Sequence, residues 1–249
     1  MEQQYEEEID LMDYVKVIIK RKGLILTLFL AAVIVAGVFS FISPKVYKVD
    51  TSLEVGRIET ATETIPEQMV ESPTQLVEKI KGDVYGIFVR EKLGIPKEKY
   101  PKIKAENPKD TSLIKIEIES ERPELAKNIL TEINNLILKE HQEQFEKRKS
   151  KIEESIKEIQ NKLALLEKEK SSSGEGISQL QIALLNLKEK LDNMESTKII
   201  NPPTISPNPI RPKPVLNIVI AGILGIFIGT FLAFFQEWWE KNKLKLKRA

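Results

Sequence analysis

Two apolar runs without a single charge, Gly23–Ile42 and Val215–Phe235, lie toward the two ends of a chain of 249 residues. At about 1.5 Å rise per residue, a helix of roughly 20 residues covers roughly 30 Å of hydrocarbon. Each run is therefore expected to cross a bilayer, and nothing between them is apolar enough to do so. Cations flank the runs on their outer sides. Lys16, Lys20, Arg21 and Lys22 precede the first, and Lys241, Lys243, Lys245, Lys247 and Arg248 follow the second. The positive-inside bias then places residues 1–22 and the basic tail 236–249 in the cytoplasm, with residues 43–214 on the outer, periplasmic or extracytoplasmic, side of the cytoplasmic (inner) membrane. The first run is too long for the apolar core of a secretory signal, about 7–15 residues, and no Ala-x-Ala pattern ends it. It reads as an anchor.

The outward segment 43–214 has the length of one ordinary domain. Its cations and carboxylates balance, as do those of the whole chain, with 38 Lys and Arg against 37 Asp and Glu. Such a surface offers no long-range field to steer nucleic acid or another polyanion. Cysteine is absent, so disulfides and thiolate metal sites are excluded. Catalytic signatures are missing as well: there is no Walker A run, no Gly-x-Ser-x-Gly, and no His, Asp and Glu cluster at ligand spacing. Carboxylates alternate with lysines along helical stretches, as on solvated faces. The single histidine, His141, sits in a polar stretch and is read as a solvated surface residue. No enzymatic activity, cofactor or metal is expected.

Within the outward segment, Val46–Val55 is rich in β-branched residues and predicts a strand. Ser112–Ser120 alternates Ile114, Ile116 and Ile118 with charged residues, the pattern of a half-buried strand. Between them, Leu76, Val77, Ile80, Val84, Ile87 and Phe88 recur at helical spacing and predict one helix over Thr74–Leu93, stopped by Gly94. Arg57–Pro73 reads as loop or a short strand, and Pro96–Pro108 as loop. A long helix begins at Pro123, where a first-turn proline is tolerated, and meets no Pro or Gly until Gly174. Its later stripe, Ile152, Ile156, Ile159, Leu163 and Leu166, has heptad spacing. After a turn over Ser171–Gly176, a second stripe follows: Ile177, Leu180, Leu184, Leu187, Leu191 and Met194. Two such stripes joined by a Gly/Ser turn predict an antiparallel helical hairpin with a coiled-coil seam over residues 123–196. Lys198–Ile205 reads as a returning strand. Asn201–Pro214 holds six of the 13 prolines and is expected to be a stiff, extended rod leading into the second span. The expected fold class is α+β, with two transmembrane helices, 23–42 and 215–235, flanking an α/β base that carries the hairpin.

This order of elements resembles the polysaccharide co-polymerases, the Wzz-type chain length determinant proteins of bacterial surface polysaccharide synthesis. Ile9-Asp10-Leu11 and Val15–Lys22 are similar to the family's amphipathic cytoplasmic lead-in. Tyr47 after the first span and Pro123-x-x-Ala126 at the start of the long helix are similar to family positions. The proline run ending Pro209-Ile210-Arg211-Pro212-Lys213-Pro214, followed by Gly222, Gly225 and Gly229, resembles the family's proline motif and glycine-bearing second span, although its proline spacing is denser than a regular P-x-x-P repeat.

The resemblance implies a non-enzymatic membrane homo-oligomer that sets the length of O-antigen (lipopolysaccharide), capsule or exopolysaccharide chains made by a separate membrane polymerase. It implies that Pro207, Pro209, Pro212, Pro214, Gly222, Gly225 and Gly229 contact that polymerase or neighbouring protomers. The growing lipid-linked glycan is a further expected partner. The bland alternatives are a proline spacer and glycines of a generic membrane helix. Some relatives carry a tyrosine-kinase domain after the second span; the short stretch after Phe235 is expected to hold none. Two rival functions stay open at this point. One is a capsule or exopolysaccharide export protein, or adaptor, working with a separate tyrosine kinase, in which Tyr5 among Glu6–Glu8 would matter. The other is a membrane-tethered structural coiled coil.

Overall fold

A computed structural model describes residues 11–59, 68–109, 111–169 and 174–246. They form two units, one from the segments at either end of the chain and one from residues 46–209.

The first unit is helical. A short helix, α1 (Leu11–Lys20), precedes α2 (Lys22–Ile42), and α7 (Pro214–Leu246) follows the larger unit in sequence. Both α2 and α7 are long and apolar enough to cross a membrane. In α1, Met12, Val15, Ile18 and Ile19 are exposed, an apolar surface of the kind that favours a bilayer interface. Beyond the apolar run, α7 continues through Trp238 and Trp239, which lie beside Phe235. Such amphipathic rings favour the headgroup level of a membrane.

The second unit is built on an antiparallel sheet in the order β4-β5-β1-β6, comprising β1 (Tyr47–Glu54), β4 (Ile103–Glu106), β5 (Leu113–Ser120) and β6 (Lys198–Ile205). Strands β2 (Arg57–Glu59) and β3 (Gln68–Met69) form a separate small pair. The period-two pattern decides the faces. Val49, Thr51, Leu53, Ile114, Ile116 and Ile118 are buried against helices. The opposite face carries charges that pair across strands, as Lys48 does with Glu117 at 2.6 Å. Three helices cover the buried face: α3 (Pro73–Lys81), α4 (Val84–Leu93) and the first turns of α5 (Pro123–Glu169). From α5 come Ala126, Ile129, Leu130, Ile133 and Ile137, all fully buried. The rest of α5 runs beside α6 (Gly174–Asp192), and the two heptad stripes are half-buried along the seam. At about 1.5 Å per residue, the 47 residues of α5 extend about 70 Å.

Four local expectations change. The helix over 74–93 is two helices, because Asp83 takes a left-handed conformation at φ 64° and restarts the chain with a new phase. Val84, Ile87 and Phe88 therefore leave the buried stripe, and Ile87 and Phe88 are 56% and 58% exposed. The stretch expected as loop after Pro96 contains edge strand β4, whose Ile103, Lys104, Ala105 and Glu106 pair with Ile118 back to Lys115. The proline rod begins later than expected. Residues through Ile205 belong to β6, where the register against β1 shifts around Asn201–Thr204; an edge strand with bulges tolerates Pro202 and Pro203 because they owe the ladder no donor. At the tip of the hairpin, Gly174–Gly176 already lie in α6, while the rest of the expected turn falls outside the described residues, as do Tyr5 and Glu6–Glu8.

Candidate functional site

In the helical unit, α2 and α7 run antiparallel, and small residues set their separation. A Cβ on Gly225 would stand 3.0 Å from the Ala32 Cβ and from the Phe29 Cα, and one on Gly229 would stand 2.9 Å from the Ile25 Cα. A Cβ on Gly222 would meet the Phe29 ring at 3.0 Å. Ala233, one turn on, is fully buried. Backbones this close gain dispersion contacts that a larger side chain would forfeit. All three glycines thus face α2 of the same chain.

Polar pairs close both ends of this helix pair. Asn217 Nδ2 donates to Ser40 Oγ at 3.0 Å. At the other end, Lys20 meets Glu237 at 2.8 Å, and Arg21 reaches both Glu237 and Glu240. The sequence assigned Lys20 and Arg21 to orientation alone and gave no sign of these partners, which stand more than 200 positions away. Tyr14 of α1 meets Phe234 edge to face, with centroids 5.6 Å apart.

The prolines divide between the units. Ser206 continues the β1–β6 ladder through its N–H to the Lys48 carbonyl at 2.8 Å. Pro207 is exposed and Pro209 half-buried. Pro212 follows a cis peptide bond, and Pro214 is the first residue of α7, a position that needs no N–H.

The larger unit holds a buried polar cluster at the root of the helical hairpin, and the residue at its centre corrects the sequence reading. His141 is 1% exposed, not solvated. Its Nδ1 lies 2.8 Å from Thr197 Oγ1 and its Nε2 3.1 Å from Glu71 Oε2. Thr197 Oγ1 also accepts the Gly56 N–H at 2.8 Å. The pattern assigns the ring proton to Nε2, donated to the carboxylate, while Nδ1 accepts the threonine hydroxyl. Lys79 bridges Glu71 and Glu140 at 2.9 and 2.7 Å, and the Tyr85 hydroxyl donates to Glu140 at 2.8 Å. Burial by itself would push the Glu140 carboxyl up, but hydrogen bonds from Lys79 and Tyr85 hold it below the usual range. Burial, then Glu140, pushes the Tyr85 hydroxyl up.

This cluster ties six segments together: the end of β1, the end of β3, α3, the start of α4, the middle of α5, and the return from α6 into β6. Gly56 makes the tie possible, since a Cβ there would stand 2.5 Å from the Glu195 carbonyl and 2.6 Å from the Thr197 nitrogen. Ile58, Val70, Phe145 and Met194 form a small apolar cluster of their own, with Met194 partly buried against the other three. No signal in the sequence marked His141, because the polarity of its chain neighbours says nothing about what packs on it. The arrangement is a fastening, with its acids and bases paired to one another. Among the described residues, no group of three His, Cys, Asp or Glu could hold a metal ion.

Residues 7–82 match the profile of the Wzz family, the chain length determinant proteins. No curated protein matches the chain at the sequence level. Among solved structures, a full-length bacterial polysaccharide co-polymerase superposes with a TM-score of 0.51 at 12% identity, covering 93% of this chain and 99% of the other. A fragment of WzzB, the polysaccharide co-polymerase from Salmonella Typhimurium, aligns more loosely, with a TM-score of 0.33 at 15% identity over 68% of this chain and all of the fragment. A profile of the Wzz family thus covers residues 7–82, and the fold over most of the chain is similar to that of a polysaccharide co-polymerase.

Proposed function

We propose that the protein is a non-enzymatic regulator of chain length in bacterial surface polysaccharide synthesis, acting as a membrane homo-oligomer beside a separate polymerase. The observation that carries this reading is the family profile over residues 7–82, which spans the first apolar helix and the strand β1 that follows it. Both termini lie in the cytoplasm, and residues 46–209 stand outside the membrane. The antiparallel course of α2 and α7 supports that orientation, since the ends that carry Lys20, Arg21 and the tryptophans come together. The proline segment 207–214 is a stiff link whose exposed residues meet the polymerase or a neighbouring protomer. The glycines act indirectly, by fixing the spacing of the two spans.

Electrophoresis of surface polysaccharide from a strain lacking the gene tests the function. Loss of the preferred length with synthesis intact is expected. Abolished synthesis with an unchanged length pattern would point to export instead. Replacing Pro209 and Pro212 with Ala adds slack to the link, and a shifted preferred length at equal protein level is expected. Crosslinking in native membranes should yield ladders of this chain; a monomer alone would overturn the homo-oligomer.

A further inference from the structure

The balance of charge along the chain hides a local excess. Where α3 breaks into α4, a cleft of about 540 Å³ opens toward edge strand β4, within the range of small-ligand sites, about 300–1,000 Å³. Its lining carries five cationic side chains and one carboxylate, Asp83. That carboxylate is already matched by Arg90. Lys104 is drawn to Glu119 and Glu117 on the sheet. Lys97 and Lys102 have no ion-pair partner among the described residues. Tyr100, also in the lining, bears the Arg90 guanidinium 5.0 Å from its ring centroid. The Tyr100 hydroxyl is shut off from water and bonds to no protein group. Burial, followed by the charge of Asp83, pushes it up to about 12 against the opposing pull of Arg90, so it stays a donor at neutral pH.

Two unpaired ammonium groups thus share a cleft whose single carboxylate is neutralised. The Asp83–Arg90 pair is built in by Gly86: a Cβ there would stand 1.7 Å from Asp83 Oδ1 and 3.2 Å from the Tyr100 ring.

We propose that this cleft binds an acidic sugar unit, a hexuronate whose carboxylate is held by Lys97 and Lys102. The choice of a sugar as carrier of the anion rests on the proposed function; the charge of the cleft does not.

Calorimetric titration of the full-length protein in a zwitterionic detergent tests the assignment with three probes: trigalacturonate, neutral maltotriose and glucose 1-phosphate. Trigalacturonate should bind, with maltotriose at least about tenfold weaker. The Lys97→Gln/Lys102→Gln double variant should lose about tenfold or more of the trigalacturonate affinity, the scale of losing one or two charge-assisted hydrogen bonds. Its unfolding temperature should stay unchanged, since neither lysine has a partner to lose. Equal binding of maltotriose, or no loss in the double variant, overturns the proposal. Binding of glucose 1-phosphate without trigalacturonate overturns the hexuronate and leaves a phosphate site. No polymerase is present in this titration, so its outcome is separate from the length-control experiment above.

Discussion

The Nδ1 of His141, in the middle of α5, lies 2.8 Å from the hydroxyl of Thr197, which stands 56 positions later at the entrance to β6. Between them the chain travels out along α5 and back along α6, so this one contact closes the helical hairpin at its root. The same hydroxyl accepts the N–H of Gly56, which joins the hairpin to the end of β1.

Replacing Thr197 with Val is expected to destabilise the outward unit by about 1–3 kcal/mol. It strands the Gly56 N–H and the His141 ring in a site water cannot reach. Thermal unfolding of the full chain followed by circular dichroism checks this. In a double-mutant cycle with His141→Ala, the two losses should be clearly non-additive.

Gly56→Ala should be among the most damaging single-methyl changes in the chain. All three of its nearest atoms are backbone, at 2.5 to 2.8 Å, and backbone cannot swing away as a side chain can. A loss of about 1–3 kcal/mol or more is expected. Gly23→Ala and Gly37→Ala, where a new Cβ meets nothing within 4 Å, are the controls and should unfold like the parent.

Stability should depend on pH through the ions around Lys79. Glu140 is held below its ordinary value, so its contribution is present above the carboxylate range of the unfolded chain and fades as pH falls through its lowered folded value. Lys79 behaves in the opposite sense. Burial lowers its value, but the hydrogen bonds it donates to Glu140 and Glu71 more than offset that, and the net shift is upward. Its contribution holds below the lysine range and is lost as pH rises through the raised value. A plateau from roughly pH 5 to 10 is expected. In Glu140→Gln the acid limb should become shallower.

Leu in place of both Gly225 and Gly229 should force α2 and α7 apart. Paired cysteines at Ser40 and Asn217, which bond in the parent at 3.0 Å, should crosslink readily on oxidation. With the two leucines added, crosslinking should fall several-fold while membrane insertion persists, because the apolar length of α7 is unchanged. Undiminished crosslinking would show that the span pair does not depend on the glycines.

Introduction of Ser172→Cys tests the topology, with no background thiol since the chain has no cysteine. Labelling by a membrane-impermeant reagent in intact spheroplasts is expected. Labelling after lysis alone would place the hairpin on the other side.

Much of this protein was legible in one dimension. The two spans, the strands β1 and β5, and the long helix each carry a repeat that burial imposes locally: uncharged for some twenty residues, alternating by two, or stepping by three and four. Ile114, Ile116 and Ile118 turned out fully buried because a strand with one face on a core allows no other register. The sequence pattern gives no sign of the helical break at Asp83, since six apolar residues at helical spacing run across it. Edge strand β4 was missed because four residues beside prolines carry too short a pattern to stand out.

By itself, then, the sequence determined the two long apolar helices, the strands β1 and β5 and the long helix α5, because those follow from hydrophobic period and length, which are properties of neighbouring residues. Only the tertiary structure decided that Gly222, Gly225 and Gly229 pack on α2 of the same chain, that His141 is a buried clasp, and that a neutral domain gathers unpaired lysines beside Tyr100. Each of these joins residues tens to hundreds of positions apart or sorts charges in space. Composition fixes how many charges a chain has, but only folding fixes which of them meet.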